Sequence, residues 1–218
     1  MPAAALFLQL LEHWKWIAAI IVLGALGRLL VDPAFHQWLG KSLVVRLALR
    51  HLDPRLYRVY HDLHLPLPRN RGTIPIDHVV VSPFGVFVIE SISLRGFIYG
   101  TPKQALWTQI THRRHRRFDN PLPQHHYHVC ALIDFLEVPE EFLHSALLFV
   151  GWPEFKTPMP DHVLNRGLIP WIQRHTIPLL NPRAMQRVTS RLDELSHASP
   201  LHTGGRQQNV PVLIRRTG

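Results

Sequence analysis

The chain has 218 residues, 46% apolar and 18% charged, which suits one domain of ordinary size plus a short appendage and excludes wholesale disorder. Its net charge of +9, to which sixteen histidines can add in acid, favours an anionic partner, either nucleic acid or an anionic membrane face. The lone Cys130 excludes an internal disulfide framework and a cysteine-based zinc module, and its apolar helical setting marks a packed thiol rather than a reactive one.

Trp16 to Leu26 carries no charge; Arg28 interrupts, and Leu29 to Val31 resumes the apolar run. Residues 14–31 have the length to cross a bilayer if Lys15 and Arg28 snorkel, with Trp14 and Trp16 as interfacial anchors. Glu12 and His13 before the run, with no small-residue cleavage site after it, argue against a cleaved signal peptide. Positive charge is denser after the run (Arg28, Lys41, Arg46, Arg50) than before it (Lys15), which puts the bulk of the protein in the cytoplasm. The expected organisation is a membrane anchor over 1–32, a domain over 33–198 and a loosely held tail over 199–218.

Leu43, Leu47, Leu49 and Leu52 stand at helical spacing and predict a helix over 39–52, which Asp53-Pro54 stops. Tyr57 to Leu65 reads as a strand and Arg69-Asn70-Arg71-Gly72 as a turn. Two apolar runs, Ile76 to Val81 and Gly85 to Ile92, then flank a Ser82-Pro83-Phe84-Gly85 turn. A hairpin closing symmetrically about Pro83 and Phe84 sets Asp77 directly across from Glu90. Directly opposed Cβ atoms are about 5 Å apart, and like charges there repel. Something positive is therefore expected between them, a divalent metal first of all. His78 points to the other face of the sheet by alternation, with hydrogen bonding in the core as its expected role. A short strand follows at Gly96 to Gly100, then a basic stretch at Thr111 to Arg117. Asn120-Pro121-Leu122-Pro123 introduces a helix from Gln124 to Leu136, Ala146 to Val150 is a buried strand, and helices are predicted at Ile169 to Arg174 and Pro182 to Leu195. Trp107, Phe135, Leu136 and Phe142 are expected in the core.

Ile76-Asp77-His78-Val79-Val80-Val81, the Gly85 to Glu90 strand, Gly96-Phe97-Ile98-Tyr99-Gly100, Trp107 and Asn120-Pro121-Leu122-Pro123-Gln124, with His128 one turn on, together resemble the nuclease-related domain, NERD. The resemblance runs from about Gly40 to Ala131 and is carried by the order and spacing of these motifs. It implies an α/β fold of the PD-(D/E)xK type, a restriction-endonuclease-like mixed sheet flanked by helices, here preceded by a transmembrane helix. It implies Asp77 and Glu90 as the acidic pair that binds Mg²⁺ or Mn²⁺, with Gln124 as the polar residue that the helix contributes to the catalytic set. Two positions depart from the family pattern. Ile92 stands where the family has a lysine, and Ser42-Leu43 where its first helix carries a Gly-Glu pair. Loss of one preorganised stabiliser of transition-state charge costs on the order of 10²–10³ in rate. Arg95 and Lys103 are the nearby basic residues that could substitute.

Arg113, Arg114, Arg116 and Arg117 place four guanidiniums within five residues, suited to nucleic-acid phosphates or anionic lipid headgroups; alone, such a cluster is more often a solvated loop. On a helix His125 and His128 share a face, but no further zinc ligands declare themselves, and a surface or capping role is the expectation. The leading reading is a membrane-anchored, nucleic-acid-associated NERD protein with a degenerate catalytic set. The alternatives are a Mg²⁺-dependent nuclease with a relocated basic residue, or a lipid or protein interaction module at the membrane surface. Nothing in the sequence fixes an oligomeric state.

Overall fold

The Ser82–Gly85 turn sets the architecture. Ser82 Oγ accepts a hydrogen bond from Phe84 N (3.1 Å) and donates one to Gly85 O (3.3 Å). Gly85 has φ +131°, and a Cβ there would meet Phe142 O at 2.8 Å, so only glycine closes this turn. The computed structural model describes residues 43–67, 72–112 and 114–198. The predicted membrane segment, most of the 69–72 turn, Arg113 and the tail lie outside the described residues. No helix among the described residues is long and apolar enough to cross a membrane.

Strands β1 (Arg58–Pro66), β2 (Thr73–Ser82) and β3 (Gly85–Ser93) run antiparallel. The β2–β3 pairs run from His78↔Ile89 to Ser82↔Gly85, the register expected from the sequence. After β4 (Phe97–Tyr99), β5 (Leu106–Thr111), β6 (Arg114–Asp119) and α2 (Leu122–Leu136), the chain returns to this sheet. β7 (Leu143–Val150) lies parallel to β3, and after β8 (Glu154–Phe155), β9 (Val163–Leu164) lies parallel to β7. The mixed sheet has the order β1-β2-β3-β7-β9. Period-two alternation divides its apolar residues cleanly. Val79, Val81, Val86 and Val88 pack with Val129 and Leu132 of α2 and with Val188 and Leu192 of a C-terminal helix, here α4 (Pro182–Ala198). Val80, Phe87 and Ile89 pack on the other side with Val45 and Leu49 of α1, helical over 43–49, and with Leu168, Trp171 and Ile172 of α3 (Leu168–Gln173).

The second sheet is mixed as well, in the order β6-β5-β4-β8. Trp107 of β5, fully buried, stacks on Phe149 of β7 with ring centroids 6.2 Å apart and planes 14° from parallel. Ile98, Leu147 and Val163 complete this third apolar cluster, against which Ile92 packs. The sequence did not foretell the β5–β6 hairpin. Its outer strand is the basic stretch, which shows no apolar alternation because it is exposed at almost every position.

Candidate functional site

Three acidic residues fall at matching positions on three adjacent strands. The β1–β2 pairs run through His61↔His78 and resume at Leu63↔Ile76, so Asp62 is the position opposite Asp77. Asp62 has φ +50°, which takes its backbone out of the ladder. On the other side the β2–β3 ladder ends at His78↔Ile89, one step short of Asp77 and Glu90. Both ladders therefore break at Asp77.

Each carboxylate has its own counterpart. Arg46 of α1 pairs with Asp62. Asp77 Oδ2 accepts hydrogen bonds from Ser91 N (2.9 Å) and Ser91 Oγ (2.7 Å), so the side chain takes over where backbone pairing stops. Glu90 points at α2, where His128 Nδ1 lies 2.6 Å from Oε1. His125 Nδ1 lies 3.3 Å from Oε2, outside the alignment of a hydrogen bond. Burial is the largest influence on Glu90 and opposes its ionisation, but the two imidazoles outweigh it and hold the carboxyl below its ordinary range. Within the fold, Glu90 is faced by the two imidazoles and Asp77 by the amide and hydroxyl of Ser91.

The helix that brings these histidines is set by Asn120. Its Oδ1 accepts from Leu122 N (3.0 Å) while its Nδ2 donates to Pro102 O (3.0 Å) and Gln104 O (2.8 Å). Prolines in the first turn lack only donors that a helix start leaves unused. With this start, His125 and His128 are buried toward the sheet and Gln124 is exposed. The expected surface or capping role for the two histidines is thus corrected, because one helix face carries both of them inward. His125 is 2% exposed, yet neither ring nitrogen has a hydrogen-bond partner. Behind it, burial and then the charge of His125 hold the His162 imidazole below its ordinary range.

Other predicted residues stand apart. Arg95 and Lys103 are exposed and make no ion pair among the described residues. Ile92 faces the apolar cluster of Leu147, Phe149 and Trp107, where an ammonium group would be out of place. Leu43, at the family's Gly-Glu position, is exposed on α1. His78 is fully buried on the face opposite Asp77, as alternation requires, with its Nδ1 2.8 Å from His61 Nδ1, within hydrogen-bond reach. Cys130 is half-buried, 3.6 Å from His126 Nε2. Arg114, Arg116 and Arg117 line β6, all exposed and without ion pairs among the described residues.

Mg²⁺ demands near-ideal octahedral oxygen coordination. In this arrangement Glu90 Oε1 faces His128 Nδ1 and Asp77 Oδ2 accepts from Ser91, one oxygen of each carboxylate. Among the described residues no group of three or more His, Cys, Asp or Glu side chains is placed to hold a metal ion.

The family model described as the nuclease-related domain matches residues 37–150. The chain belongs to the NERD family. Among curated proteins, an uncharacterized protein of Bacillus anthracis is 37% identical to it over 118 residues, 53% of each chain. The chain thus spans about half the length of the curated relative it matches. No solved structure matches it. Ser91 and His125 are the residues around these acids that sequence reasoning did not place. The i, i+3 spacing of His125 and His128 was visible, but which way that face turns was not.

Proposed function

We propose that this NERD protein binds nucleic acid without cutting it, through a restriction-endonuclease-like core whose catalytic set is degenerate. Residues 14–31 would hold it in a membrane with the domain in the cytoplasm. The observation that carries the reading is a contrast in charge. Glu90 is enclosed by imidazoles beside an apolar Ile92, whereas three guanidiniums of β6 stand in solvent without ion pairs among the described residues. Phosphate contacts dominate nucleic-acid affinity, and unpaired arginines on an open strand suit them. Support for the core comes from the mixed sheet with helices on both faces, and for the anchor from the apolar run and the basic residues after it.

The test is binding of the full-length chain in detergent to fluorescent DNA and RNA, across a salt series, with Mg²⁺ or Mn²⁺ present. Binding is expected to weaken with salt, and replacing Arg114, Arg116 and Arg117 by Glu is expected to lower the slope on duplex DNA by about 0.9 for each phosphate no longer neutralised. No cleavage above that of Asp77→Ala and Glu90→Ala is expected. Cleavage that both substitutions abolish would establish an enzyme instead. His125 favours that second reading, as a buried imidazole 3.3 Å from Glu90 Oε2 whose nitrogens make no hydrogen bond, and His125→Ala would then remove the activity. Protease protection in sealed vesicles tests the anchor and its orientation.

A further inference from the structure

Three neighbouring parallel strands, β3, β7 and β9, end at Ser93, Val150 and Leu164. The second residue beyond each end is, in turn, Arg95, Trp152 and Arg166. The middle strand thus delivers an indole and its two neighbours deliver guanidiniums, with strands about 4.8 Å apart. Ligands of open α/β sheets bind beyond the carboxyl ends of their parallel strands.

Trp152 is 85% exposed, whereas Trp107 and Trp171 are buried. Its φ of +54° is an unusual conformation for a bulky side chain. The surroundings impose it. Gly151 before it has φ +103°, and a Cβ there would sit 2.6 Å from Leu94 O. Leu94 N donates to Val150 O (3.0 Å), Glu154 N to Gly96 O (2.8 Å) and Asn165 Nδ2 to Pro153 O (2.9 Å). The turn is pinned from both neighbouring strands, so the indole is held out on a rigid mount. Such an outlier at a surface points toward function.

Beside the indole lies a cleft of about 540 Å³ lined by Trp152, Pro153, Glu154, Asn165 and Arg166. Its one acidic residue, Glu154, is paired with Lys156. Arg95 and Arg166 are exposed and have no ion pair among the described residues.

We propose that Trp152 stacks an unpaired nucleobase while Arg95 and Arg166 take the flanking phosphates, making single-stranded nucleic acid the preferred ligand class. This rests on the nucleic-acid reading above and narrows it. A base inside a duplex has no free face to offer the indole, whereas every unpaired base has one. A membrane surface is the rival occupant, because Leu43, Val44 and Leu47 are exposed and Val44 shares a second cleft with Trp152. The concave cleft and the two flanking guanidiniums favour the nucleotide.

The test compares the full chain with Trp152→Ala, Trp152→Phe and the Arg95→Ala/Arg166→Ala double variant, using oligothymidylate, oligouridylate and duplex DNA. Trp152→Ala is expected to weaken single-strand binding by about tenfold, the loss of one base stack, and to leave duplex binding unchanged. Trp152→Phe should retain most of the affinity. Quenching of tryptophan fluorescence by the oligonucleotide should shrink in Trp152→Phe. The double variant should lower the single-strand salt slope by about 0.7 for each phosphate no longer neutralised. Single-strand binding that Trp152→Ala leaves intact overturns the proposal while sparing the nucleic-acid reading. A folded wild-type chain that binds no nucleic acid overturns both. Equimolar phosphatidylcholine–phosphatidylglycerol vesicles, if bound in a Trp152-dependent way while single-strand affinity is indifferent to Trp152, would assign the indole to lipid.

Discussion

The two sheets treat charge in opposite ways. In the five-stranded sheet, acidic side chains lie at interrupted ladder positions, and each is answered by a group of the same chain: Arg46, Ser91, or the histidines of α2. In the four-stranded sheet the edge strand β6 puts arginines in water with no answering carboxylate among the described residues. Charge neutralised within the fold holds elements together, while charge left open is available to a partner. The first set is closed on itself and the second is open to solvent.

Trp107→Ala should break the comparison most sharply, because Trp107 joins the two sheets through Phe149. A loss of about 3–5 kcal/mol is expected in urea unfolding. A loss below 1 kcal/mol, or two separate transitions, would mean that the sheets are stable independently. Acid provides the next largest effect. Burial, then the facing His61, push the His78 imidazole down to about 4. An unfolded imidazole binds its proton near pH 6.5. Between those values the unfolded chain holds more protons than the folded one, so stability falls as pH drops, by on the order of 2–3 kcal/mol. His78→Leu should flatten that stretch of the stability–pH curve.

His128→Ala strips Glu90 of its hydrogen bond and should cost about 1.5–3 kcal/mol at neutral pH. The Glu90 carboxyl, now held low, should titrate higher by carbon-detected NMR; an unchanged titration would show that His128 is a bystander. Replacing Arg114, Arg116 and Arg117 by Glu should move stability by no more than about 0.5 kcal/mol, since these side chains are exposed and make no ion pair among the described residues. A larger loss would mean that β6 is built into the fold rather than displayed by it.

Much of this was legible in the residues. The Ser-Pro-Phe-Gly turn set the β2–β3 register as far as His78↔Ile89. Alternation put His78 on the other face. Four things were hidden, each for a physical reason. Arg114 to Arg117 form a strand without alternation, because an edge strand lying in solvent has no buried side to encode. The His61–His78 contact depends on β1–β2 pairing across a turn that offers no fixed geometry in sequence. The Asp62 conformation is a backbone event. The inward turn of His125 and His128 depends on how Asn120 seats the helix on the β4–β5 connection, a tertiary choice that leaves Gln124 outside.

The place of β6 at the margin of its sheet has a colloidal consequence. A bare strand edge is a template for the edge of another molecule, and charged side chains are the common defence against such pairing. The arginines of β6 are therefore expected to discourage edge-to-edge pairing as well as to make the protein basic. Substituting all three by Glu keeps that guard, whereas substituting them by Ala is expected to bring concentration-dependent self-association, visible by light scattering, at unchanged thermal stability.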